Sequence, residues 1–155
     1  VSINTSVLEM TPLLFSLNDD EVKIFCSYLK AGTYSDGDIL FREGDEGNYL
    51  CVIARGSIGI ARQQEDGELK ILWELPENKV FGELALFDGQ PRSGTAVCIG
   101  DTEVYFLHQK DFMNLSNAQP SLSMKITLNV IKVLSSNLRT TTARFYQASN
   151  ALQEN

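Results

Sequence analysis

The amino-acid sequence predicts a mainly β fold, a jelly roll or similar small barrel, with flanking helices and a long C-terminal helix. Three observations carry that expectation. Between residues 31 and 108 the chain runs as short β-rich segments, AGTYS, DILFRE, NYLCVIA, SIGIARQ, LKILWEL, GTAVCI and EVYFLH, separated by turn glycines. Ahead of them, Asn18 and Glu21 stand at the spacing of a helix start. Beyond Met124, apolar residues recur every seven positions. At 155 residues and 43% hydrophobic content the chain is the size of one domain and can bury a packed core.

Each element has its own local reason. Asn18 and Glu21 form a capping box, with Leu17 and Val22 at the two staple positions, and predict a helix over about residues 19–29. Within the β region, Asp66-Gly67 lies between two strand runs and is a hairpin turn signal. The stretch FGELALFDGQPRSGTA, residues 81–96, interrupts the strand period, because Glu83, Leu84, Ala85 and Leu86 favour a short helix. Residues 109–116 read as another short helix, ending before Asn117 and Pro120. From Met124 the heptad stripe is Met124, Ile131, Leu138, Phe145 and Leu152, with Thr127, Leu134, Thr141 and Ala148 at the second site. A helix of about 30 residues is roughly 45 Å long, more than a small barrel can cover. Its natural cover is a second copy in a two-fold dimer; the alternative is that the stripe packs on its own barrel. The expected division is 1–118 for the barrel with N-terminal helices and 119–155 for a dimerisation helix.

The interrupting stretch holds the chemistry. Gly82 lets the backbone bend tightly and a ligand approach closely. The helix start after it presents free N–H groups to an anion. Arg92 supplies a planar, permanently charged fork suited to two phosphate oxygens, and Ser93 adds a hydroxyl donor. Glu83 would repel a phosphate. It fits if its carboxylate accepts from a ribose hydroxyl instead.

Phe81-Gly82-Glu83-Leu84-Ala85 followed by Pro91-Arg92-Ser93-Gly94-Thr95 resembles the phosphate-binding cassette of the cyclic-nucleotide-binding domain family, of the catabolite activator and cAMP-dependent kinase regulatory subunit type. Upstream, Gly37-Asp38, Gly44-Asp45 with Tyr49-Leu50, and Gly56 match the family's turn positions, so the similarity covers roughly residues 10 to 150. The resemblance implies a jelly-roll sensor whose ligand is cAMP, with cGMP as the alternative. It implies a site of Phe81, Gly82, Glu83, Leu84, Ala85, Arg92 and Ser93, with Thr141 and Thr142 of the long helix meeting the base, one from the ligand's own subunit and the next from its partner. Ser93 leans toward cAMP, since threonine after the arginine favours cGMP in the kinase branch. Thr141 places a hydroxyl where the seam wants an apolar residue, and a polar ligand edge would explain it. A bond back to its own helix carbonyl is the alternative.

Other signals narrow the function classes. The formal charge of −7 argues against a general affinity for nucleic acid or an anionic membrane. Cys26, Cys51 and Cys98 are odd in number and lack CxxC spacing, so they read as buried thiols of a cytoplasmic protein rather than disulfides or a zinc site. No run reaches the length of a membrane span, and the start lacks a signal-peptide pattern. Opening on Val1 rather than methionine suggests a trimmed chain. His108 is the sole histidine, so no multi-histidine metal site or nucleophile–base pair can be assembled, and an enzyme is not expected. Asp19-Asp20 and Asp45-Glu46 sit where caps and turns want acids. Arg55, Arg62, Lys70 and the row Lys125, Lys132 and Arg139 read as solvated, and Trp73 and Tyr49 as core or rim. The expected role is ligand sensing by a homodimer. The rival readings are the sensor half of an activator-type DNA-binding regulator and a degenerate interaction module that binds no nucleotide.

Overall fold

The structure, a computed structural model, describes residues 2–153. In chain order it has α1 (Thr5–Glu9), a 3-10 turn (Pro12–Leu14), α2 (Asp19–Cys26), β1 (Lys30–Tyr34), β2 (Ile39–Phe41), β3 (Tyr49–Gln63), β4 (Leu69–Leu75), β5 (Val80–Phe81), α3 (Leu84–Asp88), β6 (Thr95–His108), α4 (Gln109–Ala118) and α5 (Pro120–Gln153). The antiparallel sheet runs β1-β6-β3-β4, with β2 also on β6 and β5 also on β3. This is the jelly-roll-type fold that the short strands predict.

Two long strands replace four expected short ones. Gly56 and Gly100 read as turns, yet each is a bend inside a strand, at φ +80° and +68°. Arg55 pairs with Glu103 while Ser57 pairs with Ile99, so the partner strand carries extra residues at that point and the ladder continues beyond it. A side chain at Gly56 would strike Asp101 O at 2.6 Å, so the bend requires glycine. The Asp66-Gly67 hairpin forms as expected, with Gln64 N donating to Glu68 O at 2.8 Å between β3 and β4. The two-residue β5 is too short to leave a period in the sequence.

Strand alternation sends the core to two sides. Leu50, Val52, Tyr105 and Leu107 face the helices and join Leu8, Leu13, Phe25, Leu115, Ile126 and Val130 in one cluster. Cys51, Ile53 and Val104 face the barrel interior with Phe41, Ile58 and Phe81. Both expected helix boundaries shift. The capping box at Asn18 and Glu21 is present, but α2 ends at Cys26, where the Ser27 hydroxyl donates to Ile24 O at 2.6 Å. α4 runs to Ala118, and Pro120 opens α5, a position where its missing N–H costs nothing.

The 34-residue α5 is about 51 Å long at about 1.5 Å per residue. Leu122, Ile126, Val130 and Val133 bury one face on the helical cluster. Buried Asn129 donates through Nδ2 to Leu13 O and Phe15 O, both at 2.8 Å, and Lys125 Nζ pairs with Glu21 at 2.8 Å. Lys132 lies over the Phe15 ring at 3.8 Å, so Lys125 and Lys132 are engaged rather than simply solvated. The heptad stripe is a separate face: Met124, Ile131, Leu138, Phe145 and Leu152 are all exposed. The stripe therefore does not pack on its own barrel.

Candidate functional site

β5 delivers the chain into residues 81–96. Phe81 is buried in the barrel interior, and Gly82 turns the backbone at φ +68°. A Cβ there would meet Arg92 Nη1 at 2.7 Å, so the glycine makes room for the arginine. α3 is only five residues long; Glu83 precedes it without a side-chain capping bond, and Gly89 closes it in the left-handed conformation. Its dipole is correspondingly small, which leaves Arg92 as the main positive charge. The loop after β2 clamps the stretch: Gly44 N donates to Arg92 O, and Arg92 N to Asp45 O, each at 2.8 Å. Gly47 packs so closely on buried Ala85 that any Cβ at 47 would overlap the Ala85 methyl.

Arg92 is 4% exposed. Its guanidinium lies between the rings of Phe41 and Tyr49, 4.1 and 4.3 Å from their centroids. Nη1 donates to Gly82 O at 3.1 Å and Nη2 to Tyr49 O at 2.9 Å. Of a guanidinium's five N–H donors, two are thus anchored on carbonyls, and the buried Nε has no protein partner. Among the described residues no carboxylate lies within 4.0 Å of it. A buried cation without a counter-charge is costly, and an anion would offset that cost.

Glu83 is equally buried, at 6% exposed, yet forms no ion pair with Arg92. Its Oε1 accepts from Asn137 Nδ2 of α5 at 2.8 Å. Burial drives the Cys51 thiol pKa up, while Arg92 pulls it down and Glu83 pushes it up, so both charges act on one spot. The site therefore holds a carboxylate and a guanidinium that do not neutralise each other.

α5 crosses in front of the barrel. Asn137, Thr141 and Arg144 share one helical face, which continues the buried row of Val130 and Val133. Asn137 meets Glu83 at one end, and at the other the Arg144 guanidinium lies 5.5 Å from the Trp73 ring of β4. These contacts are about 10 Å apart along the axis, with Thr141 between them. Thr141 and Thr142 are exposed, as are Ser93 and Leu84, whereas Phe81, Glu83, Ala85 and Arg92 are buried around the cassette. Thr142 is turned away from the barrel, on the side of the exposed stripe. The bond back to a helix carbonyl considered for Thr141 is made by Thr127 to Ser123 O and by Thr140 to Ser136 O. Asn137 was not singled out in the sequence. Its position four residues before Thr141 is the signal that could have marked it.

Residues set aside in the sequence occupy structural places. His108 is half-buried against Tyr49 and Phe106, and burial, then Lys30, lowers its pKa. Asp45 accepts from Arg42 N at 2.8 Å within its turn. Arg62 lies 3.8 Å from Glu43. Cys51 and Cys98 are buried, but Cys26 is only half-buried. Trp73 is 40% exposed, a rim residue rather than core. Among the described residues no cluster of His, Cys, Asp or Glu could hold a metal ion, and no helix is long and apolar enough to cross a membrane.

The fold thus sets a buried guanidinium and a buried carboxylate side by side in one loop without pairing them. Residues 32–119 match the model of the family described as "Cyclic nucleotide-binding domain". The chain belongs to the cyclic nucleotide-binding domain family. It is 33% identical over 110 residues to a cyclic AMP receptor protein of Thermus thermophilus, covering 71% of this chain and 51% of that protein. It is 34% identical over 108 residues to a cAMP-dependent protein kinase regulatory subunit of Blastocladiella emersonii, covering 70% and 27%. A solved cyclic nucleotide-binding domain from Methylobacillus flagellatus superposes with TM-score 0.79 at 23% identity, over 90% of this chain and 78% of that one. The chain thus spans about half or less of the two curated relatives.

Proposed function

We propose that this chain is a sensor that binds cAMP, in preference to cGMP, and passes occupancy to a C-terminal dimer helix. The observation that carries the reading is Arg92, a buried cation with an unpartnered buried Nε and no carboxylate in reach. A cyclic phosphate would supply the missing charge and acceptors. The backbone of Gly82, Leu84 and Ala85 and the Ser93 hydroxyl would complete its cradle. Glu83 would accept from the ribose hydroxyl, and Phe81 would hold the cassette against the barrel interior.

The base would lie between barrel and helix, against Thr141 of its own chain and Thr142 of a second copy. What supports that assignment is that the two residues lie about 100° apart on α5, Thr141 in the row of Asn137 and Arg144 and Thr142 beside the exposed Leu138 and Phe145. Residues 1–118 would bind the ligand and residues 119–155 would dimerise, with Val1 and the last two residues lying outside the described ones. Met124, Ile131, Leu138, Phe145 and Leu152 would form the seam. Because the nucleotide would touch both barrel and helix, it would favour one helix placement over others, a population shift rather than a reaction. We read the domain as non-enzymatic and cytoplasmic; its free thiols suit a reducing compartment.

Parallel calorimetric titrations with cAMP and cGMP test the reading. Saturable binding of cAMP, tighter than cGMP, is expected. Absence of heat with both nucleotides at millimolar concentration would overturn it.

A further inference from the structure

Beyond Leu134, α5 is nearly bare: from residue 135 to 152 only Asn137 and Ser149 are less than exposed. Asn137 is also the one of these whose side chain reaches the cassette, and it reaches the carboxylate of Glu83. We propose that Asn137 is a positioning residue for that carboxylate, and the contact through which cassette and helix sense each other. The proposal rests on the cyclic-nucleotide reading above.

The argument is one of donors and acceptors. A carboxylate held at 6% exposure needs hydrogen-bond donors, because burying it without them is costly. Arg92, the nearest candidate by burial, is turned to the carbonyls of Gly82 and Tyr49 instead. The Asn137 amide satisfies Oε1 at 2.8 Å. Oε2 remains free of any hydrogen bond to Asn137, and a carboxylate can accept about four bonds over its two oxygens. The amide and a ribose hydroxyl can therefore share Glu83 without competing. Asn137 fixes the rotamer in which Oε2 is offered to the ligand, and a ligand on Oε2 in turn holds Glu83 where Asn137 needs it. Binding and helix docking strengthen each other through one side chain. Arg144 over Trp73 anchors the next turns but touches no cassette residue, so it steadies the helix without setting the carboxylate.

The test compares cAMP with 2′-deoxy-cAMP, which lacks the hydroxyl that Glu83 would accept. Calorimetry on the wild-type chain should give a preference for cAMP of about tenfold to a hundredfold, as for one hydrogen bond to a charged acceptor. In Asn137→Ala, at a half-buried helix position where alanine favours the helix, the fold is retained. The preference there should shrink to about threefold or less, because an unheld Glu83 no longer distinguishes the two ligands. A purely structural role would weaken both ligands equally, so an unchanged ratio would overturn the proposal while leaving the nucleotide reading standing. Failure of the wild-type chain to bind either ligand would overturn that reading, and this inference with it.

Discussion

Replacing Arg92 by alanine separates the fold from the ligand more cleanly than any other change. Without ligand, Arg92→Ala removes two hydrogen bonds, to Gly82 O and Tyr49 O, and the contacts with the Phe41 and Tyr49 rings. Hydrogen bonds from a charged donor contribute about 1.5–3 kcal/mol each, and the cation–π contacts about 0.5–2 kcal/mol each. Against this stands the release of a buried cation with no counter-charge, a relief of several kcal/mol. The relief offsets much but not all of the loss, so the unliganded protein should be destabilised by about 1–4 kcal/mol and still fold.

Ligand-bound stability behaves differently. At cAMP a hundredfold above Kd the wild-type chain gains about 2.7 kcal/mol, which for a domain of this size raises Tm by about 5–10 °C. Loss of the Arg92–phosphate bonds should weaken binding by about a hundredfold or more, and the shift should fall to about 1–2 °C at the same concentration. Thermal melts of both proteins, with and without cAMP, read both quantities at once. An undiminished ligand-induced shift in Arg92→Ala would refute the assignment of this arginine to the phosphate.

Three further outcomes follow from other contacts. Gly47→Val forces a branched side chain onto Ala85 and Arg92; chemical denaturation should show a loss of about 1–3 kcal/mol, and cAMP affinity should fall with it. Leu138→Asp puts a charge in the exposed stripe, and sedimentation should show a micromolar dimer of the wild-type chain becoming monomer, with wild-type monomers throughout counting against the seam. His108 has a pKa lowered from 6.5 by burial, so its contribution to stability is fully present above about pH 6.5 and is lost as pH falls through the folded value. His108→Gln should flatten the fall in Tm between neutral and mildly acidic pH; an unchanged slope would mean another group carries it.

Local signals wrote much of this molecule in advance. The capping box at Asn18 and Glu21, the Asp66-Gly67 hairpin and the alternation in NYLCVIA and EVYFLH act over a few residues, so they are legible without neighbours. The glycines misled where their meaning depends on the facing strand. Gly56 and Gly100 break the alternation as a turn would, and only the register of β3 on β6 makes them bends in continuous strands. β5 and the ends of α2 and α4 were likewise settled by what they touch.

By itself the sequence determined the barrel class, the cassette, and the identities of Glu83 and Arg92, because residue type and spacing carry that chemistry. Tertiary structure alone decided what those charges face. Arg92 turns to the carbonyls of Gly82 and Tyr49, and Glu83 turns to Asn137, a residue 54 positions away. It also divided α5 into a row that buries on the barrel side and a stripe left exposed. The heptad shows only the stripe, because a period marks which residues share a face and not what that face meets.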